Sequence, residues 1–95
     1  MSLPLVVHEN QIKAFNCSQE GSIYKATFFR STLHKLVRLF DLDNRIAAYT
    51  LGYGLADQGD VVLITVGANG YKVWTDVRSA VAPHPVEQQE NSKFA

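Results

Sequence analysis

The pattern of hydrophobic and polar positions is most informative near the middle of the chain, over residues 45–57. This stretch carries charge only at its two ends, Arg45 and Asp57. At helical spacing its other residues form two apolar faces. The faces are Ile46, Tyr49 and Tyr53 on one side and Ala47, Leu51 and Leu55 on the other. Because a helix that is apolar nearly all round is buried on more than one side, we predict a helix covered by a sheet and by a second element.

Two glycines, Gly52 and Gly54, lie inside this predicted helix. Each destabilises a helix interior by roughly 1 kcal/mol relative to alanine. Close approach of a neighbouring element would offset that cost, since glycine has no side chain to hold the neighbour away. The same Gly-x-Gly spacing resembles part of a dinucleotide-binding motif. That motif belongs at a strand-to-helix turn and has a third glycine, so we interpret both glycines as packing positions.

The clearest strand signal follows the helix, at residues 61–66, which form an apolar run bounded by turn residues. Such a run predicts a strand that is covered on both faces. Asn69-Gly70 then predicts a β-hairpin with a type I′ turn, because that turn needs positive φ at both central residues. A two-residue turn at this point pairs Val66 with Val73.

The segment 22–40 admits two interpretations. Residues 22–28 are rich in side chains that favour strands, and we predict a strand there. From 29 to 40 the apolar residues recur at spacings of three and four, which predicts a helix that begins near Ser31 or Thr32. The alternative is one helix over 22–40. It would place Ile23, Tyr24 and Phe28 on the charged side.

The complete pattern predicts an α+β fold in one domain, residues 1–82. Short β-prone runs at 3–7 and 12–17 precede the segments above. The expected architecture is an antiparallel sheet of about five strands, in the order β-β-β-α-α-β-β, packed on two helices and ending in a C-terminal β-hairpin. Residues 83–95 are polar and are expected to form a flexible tail.

The composition bears on the partners and the cellular location that we expect for the protein. Hydrophobic residues make up 46% of the chain and charged residues 19%, which is below the usual quarter and favours a surface shared with a partner. The formal net charge is zero, whereas a domain dedicated to nucleic acid is usually strongly basic. The lone Cys17 cannot form an internal disulfide, so we expect a reducing, cytoplasmic location. No signal peptide or bilayer-spanning apolar run is present, so no membrane association is expected.

The sequence contains no pattern typical of catalysis or metal binding. His8, His34 and His84 share no metal-ligand spacing with each other or with Cys17. The segment 41–44 begins like a calcium loop but lacks that loop's glycine and glutamate. No nucleophile–base pair is placed by the sequence. We therefore expect neither an enzyme nor a bound cofactor or metal.

Two groups of side chains are candidate contact sites. Between residues 21 and 40 the chain has basic side chains and no acidic one. This candidate site for an anion or an acidic partner comprises Lys25, Arg30, His34, Lys35 and Arg38. In the predicted helix Arg30, His34 and Arg38 share one face, which either contacts phosphates or is simply solvated.

The second group is a candidate oligomer interface, comprising Tyr49, Tyr53, Trp74 and Leu63. The two tyrosines lie on one flank of the predicted helix. Trp74 and Leu63 lie on the mixed face of the predicted hairpin, and tryptophan there is a natural interface anchor. Cover by the N-terminal strands or the tail is the alternative for Trp74.

These patterns favour a small non-catalytic interaction or regulatory module that forms a homo-oligomer, most simply a two-fold dimer. The alternative is a nucleic-acid-binding domain with the element order of a winged helix-turn-helix, which would use the basic face of residues 25–38. A third hypothesis is a small enzyme or ligand-binding domain with a pocket near Tyr49 and Tyr53.

Overall fold

The computed structural model describes residues 3–77 and 84–85, which form seven strands and one α-helix. The strands are β1 (Leu5–His8), β2 (Ala14–Gln19), β3 (Ser22–Phe29), β4 (Thr32–Phe40), β5 (Val62–Gly67), β6 (Gly70–Asp76) and the two-residue β7 (His84–Pro85). Helix α1 (Arg45–Asp57) connects β4 to β5. Short 3₁₀ turns at Glu9–Gln11 and Leu42–Asn44 precede β2 and α1.

All seven strands form one mixed sheet in the order β1-β5-β6-β4-β3-β2-β7. Strand β1 runs parallel to β5, and every other described pair is antiparallel. The predicted α+β class is therefore confirmed. The predicted fully antiparallel sheet of five strands on two helices is wrong, because the sheet is mixed and one helix packs on it. The tail predicted over 83–95 lies outside the described residues except for β7.

The helix predicted to begin near Ser31 or Thr32 and to end at Phe40 is wrong, because this segment forms β4. Arg30 and Ser31 have φ of 50° and 65°, and positive φ at both positions turns the chain tightly from β3 into β4. Strand β4 then pairs with β3 on one side and β6 on the other. A central strand of this kind has apolar side chains on both faces of the sheet. In addition, an irregularity between Leu36 and Arg38 shifts the alternation of side chains between the two faces. Together these features produce spacings of three and four that imitate a helix.

The predicted C-terminal hairpin forms, but its turn lies one residue earlier than expected. Gly67 pairs with Gly70, and Ile64 rather than Val66 faces Val73. Gly70 has φ of 145°, and a Cβ at this position would overlap the carbonyl oxygen of Phe40. A glycine is therefore needed at the start of β6, where the backbone of β4 at Phe40 leaves no room for a side chain. Moving the turn by one residue shifts the pairing of β5 with β6 by two residues. Each side chain therefore stays on its predicted face, since strand faces repeat every second residue.

The main core lies between α1 and the β5–β6 hairpin. Its buried residues are Ala48, Ala56, Val62, Ile64 and Val73. Gly52 faces this core, and a Cβ there would lie 2.8 Å from Ile64 Cδ1. The predicted close approach is therefore confirmed at Gly52. It is wrong at Gly54, where an added Cβ would meet nothing within 4 Å.

The opposite face of the hairpin is also buried. Trp74 and Leu63 are each only 1% exposed, and the Trp74 Nε1–H donates to Thr65 Oγ1 over 3.1 Å. The 3₁₀ turn after β1 packs on this side: the Glu9 carboxylate occupies the space that a side chain at residue 67 would fill. Glu9 also lies 3.9 Å from Lys72 Nζ. The N-terminal segment thus helps to cover the tryptophan face.

Candidate functional site

The five basic residues predicted to share a contact surface are spread over the β3–β4 hairpin. Lys35 pairs with Ala26, so it lies on the sheet face opposite to that of Lys25, because successive strand residues alternate. Arg30 lies in the turn, where its guanidinium carbon is 5.3 Å from the centre of the Phe29 ring. The expected continuous basic helix face, including Arg38, is therefore wrong.

His34 is buried rather than available to an anion, with 3% of its surface exposed. Its Nδ1–H donates to the Thr32 carbonyl oxygen over 3.0 Å. Burial lowers the pKa of His34 from 6.5, while the Thr32 hydrogen bond and the negative charge of Asp76 oppose that change. A neutral, inward-facing imidazole is a structural group in this position.

The predicted oligomer interface also separates into two parts. Trp74 and Leu63 belong to the interior of the chain, so their assignment to an exposed interface is wrong. Tyr49 is half-buried and meets Tyr71 edge to face, with ring centroids 6.1 Å apart. Tyr53 remains 47% exposed. Only the tyrosine part of the predicted interface reaches the surface.

Helix α1 is covered on one side only within the described chain. The buried positions are Ala48, Gly52 and Ala56, spaced by four residues, whereas Ala47 is exposed. The sequence predicted a second covering element on the flank of Ile46, yet Ile46 is 79% exposed. That expectation is wrong for the single chain, and an apolar flank of the helix faces outward.

This outward flank forms a shallow groove, which we call the α1 outer face. Its lining residues are Arg45, Ile46, Tyr49, Thr50, Tyr53, Gly54 and Asp57. Charge is confined to the two ends of the groove, and the middle is neutral. Gly54 lies in it without any neighbour that an added Cβ would meet. The fold of the single chain therefore provides no packing reason for this glycine.

A stacked aromatic pair that sequence reasoning did not single out lies elsewhere on the sheet. The rings of Phe15 on β2 and Phe28 on β3 are 5.6 Å apart with an interplanar angle of 27°. Phe28 is 60% exposed. Lys13 lines the same hollow. The sequence signal was weak, because the pair meets only in the register of β2 against β3.

Two kinds of group in the described residues bear on catalytic chemistry: metal ligands and the Cys17 thiol. The described residues contain no group of three side chains that could hold a metal ion. Cys17 is buried, and burial raises the pKa of its thiol, which keeps the sulfur protonated and unreactive. A hollow beside the β5–β6 turn contains Glu9 and Lys72, whose opposite charges already face each other.

Comparisons with protein-family models, with curated proteins and with solved structures found no match to this chain. In the part of the chain that the structure describes, no helix has the length and apolar character needed to span a bilayer.

Proposed function

We propose that this protein is a small, non-catalytic interaction module that self-associates through the α1 outer face. The observation that carries the proposal is the exposure of apolar side chains on this helix. Ile46 is 79% and Tyr53 47% exposed. Burying such side chains against a partner is favourable by about 25 cal/mol per Å² of apolar surface. A regulatory role in the cytoplasm, where the lone Cys17 stays reduced, belongs to the same proposal.

The placement of charge favours a second copy of this chain as the partner. Arg45 and Asp57 lie at opposite ends of the groove, twelve residues apart in the sequence. At 1.5 Å per residue their backbones are about 18 Å apart along the helix. When two copies of α1 pack antiparallel across a two-fold axis, Arg45 of each copy meets Asp57 of the other. One surface thereby complements itself in shape and in charge.

Gly54 fits the same arrangement. A glycine in a helix interior is destabilising by roughly 1 kcal/mol relative to alanine, and the single chain gains no contact in return. Thr50 lies one turn away on the same face. Small side chains at these two positions let the backbone of a second helix approach closely.

The size of the surface sets the expected strength. A helix of 13 residues is about 20 Å long and about 10 Å wide with its side chains. Contact between two such helices buries less than the roughly 800 Å² per partner of a standard stable interface. We therefore expect a reversible dimer with a dissociation constant on the order of 10–100 µM.

Sedimentation equilibrium between 5 and 500 µM tests the proposal. The wild-type chain is expected to pass from monomer to dimer within this range, and Ile46→Glu is expected to remain monomeric. Ile23→Glu is the matched control, because Ile23 is 67% exposed on β3, away from α1. A wild-type chain that is monomeric at every concentration refutes the proposal. So does an Ile46→Glu variant that dimerises like the control.

The winged helix-turn-helix alternative loses the element order on which it was based. Among the described residues only one α-helix precedes the β5–β6 hairpin, because residues 32–40 form β4. The basic side chains 25–38 do not share a helix face for the same reason.

A further inference from the structure

The neutral net charge conceals an uneven distribution along the chain. Residues 10–40, which include β2, β3 and β4, have five basic residues and only one acidic residue, Glu20. The basic residues are Lys13, Lys25, Arg30, Lys35 and Arg38. Residues 41–77, which include α1, β5 and β6, have the opposite balance. Their acidic residues are Asp41, Asp43, Asp57, Asp60 and Asp76, against the basic Arg45 and Lys72. One half of the sheet is therefore basic.

The stacked aromatic pair lies in this basic half. Phe15, Ala26 and Lys35 occupy one row across β2, β3 and β4. Phe28 lies two residues from Ala26 on the same strand, so it shares their face. Lys13 lines the hollow that Phe15 and Phe28 form. We call the set Lys13, Phe15, Phe28 and Lys35 the aromatic platform.

The platform is open, and no carboxylate shares its strands. Helix α1 packs mainly on β5 and β6 and on part of β4. Phe28 keeps 60% of its surface exposed, and Lys13 and Lys35 are exposed. Strands β2, β3 and β4 contain no aspartate or glutamate. An exposed ring with Lys13 lining its hollow and Lys35 on the same sheet face is suited to a ligand that carries both a flat ring and negative charge.

We propose that the aromatic platform binds single-stranded nucleic acid. An unpaired base stacks on the exposed ring of Phe28, which Phe15 supports from the other side. Lys13 and Lys35 attract the flanking phosphates. Double-stranded nucleic acid fits less well, because its bases are already stacked and paired and cannot reach a ring on a sheet surface. One exposed ring provides room for one base, so binding is weak and not sequence-specific.

This inference is independent of the proposed self-association. The platform is built from β2, β3, β4 and the residue before β2, whereas the α1 outer face is built from α1 alone. Binding of nucleic acid and formation of dimers can therefore succeed or fail separately.

Fluorescence anisotropy with a labelled 12-nucleotide oligo(dT) strand tests the inference in 20 mM salt. Phe28→Ala is expected to weaken binding by about 5-fold or more, because one base–aromatic stack contributes about 1–3 kcal/mol. Lys35→Glu is expected to weaken it further. Lys25→Glu changes the net charge equally, but Lys25 lies on the opposite face of the sheet, so it serves as the matched control. Circular dichroism establishes that each variant folds.

Several results would overturn the inference. One is the absence of an anisotropy change up to 200 µM protein. A second is an equal loss from Lys25→Glu and Lys35→Glu, which would indicate attraction by net charge alone. A third is equal binding of wild type and Phe28→Ala. Vesicles of phosphatidylcholine with 30% phosphatidylserine are tested in parallel, and sedimentation with these vesicles without binding to oligo(dT) would assign the platform to an anionic membrane instead.

Discussion

The two glycines of α1 provide a direct test of how the helix is buried, because they differ in one respect. Both are helical, and they are two residues apart. An alanine Cβ at position 52 would lie 2.8 Å from Ile64 Cδ1 and 3.5 Å from Val62 Cγ1. An alanine Cβ at position 54 would meet nothing within 4 Å. The substitutions Gly52→Ala and Gly54→Ala therefore share the gain in helix propensity but not the steric conflict.

The magnitudes follow from these distances. Gly54→Ala is expected to stabilise the monomer by about 0.5–1 kcal/mol, the difference in helix propensity. Gly52→Ala has the same gain, but Ile64 is fully buried and must move within a packed core. Overpacking of this kind destabilises by about 1–3 kcal/mol, so the net effect is a loss of up to about 2 kcal/mol. The two variants should differ by about 1–3 kcal/mol in free energy of unfolding.

Urea denaturation at 2 µM protein, followed by Trp74 fluorescence, measures both variants below the concentration at which dimers are expected. Unchanged slopes with denaturant would indicate that only stability has changed. If Gly52→Ala stabilises the protein as much as Gly54→Ala, the Ile64 side chain makes room for the added methyl group, and the steric argument is refuted. Sedimentation of Gly54→Ala at high concentration adds a second readout. An added methyl group in the α1 outer face should weaken self-association even though it stabilises the monomer.

Two further predictions concern charge. Arg45→Asp and Asp57→Arg should each weaken self-association by about 2- to 10-fold at low salt, whereas a mixture of the two variants should form heterodimers, since every end-to-end pair is then complementary. Sedimentation of the single variants and of their mixture measures this, and equal behaviour in all three samples would exclude the antiparallel arrangement. The second prediction is that stability falls as the pH decreases below about 6.5, because the lowered pKa of His34 means that the unfolded chain binds the proton more readily than the folded chain does. Urea unfolding between pH 5 and 7.5 tests this, and His34→Gln should reduce the dependence on pH; an unchanged dependence would show that His34 does not cause it.

The sequence predicted those elements whose signal is local. Helix α1 begins and ends at Arg45 and Asp57, where its charged ends were expected. Strand β5 lies within one residue of the predicted apolar run, and β3 follows its strand-favouring side chains. Each of these segments has a single dominant pattern. Tertiary contacts were not needed to interpret it.

The errors occur where non-local pairing determines the structure. Strand β4 is central in the sheet, so apolar side chains such as Leu36 and Phe40 are needed on both faces and obscure the period of two. Trp74 was expected on a mixed, partly exposed face because no local sequence pattern predicts the parallel pairing of β1 with β5. That pairing brings Glu9 to the Trp74 face of the sheet. To predict the aromatic platform, the register between β2 and β3 would also have to be known, because that register brings Phe15 next to Phe28. Of the two candidate surfaces, only the α1 outer face was accessible from spacing alone.

Both surfaces follow from one feature of the fold, the pairing of a wide sheet with a single helix. Neighbouring strands are about 4.8 Å apart, so the seven strands span about 29 Å, whereas a helix with its side chains is about 10–12 Å wide. One helix can cover two or three strands, and α1 covers β5, β6 and part of β4. Because α1 is the only α-helix packed on the described sheet, Phe28 stays exposed on the uncovered strands. Ile46 stays exposed on the side of the helix that faces away from the sheet. A second helix over β2 and β3 would bury Phe28 and leave Ile46 exposed, so the two surfaces can be covered independently of each other.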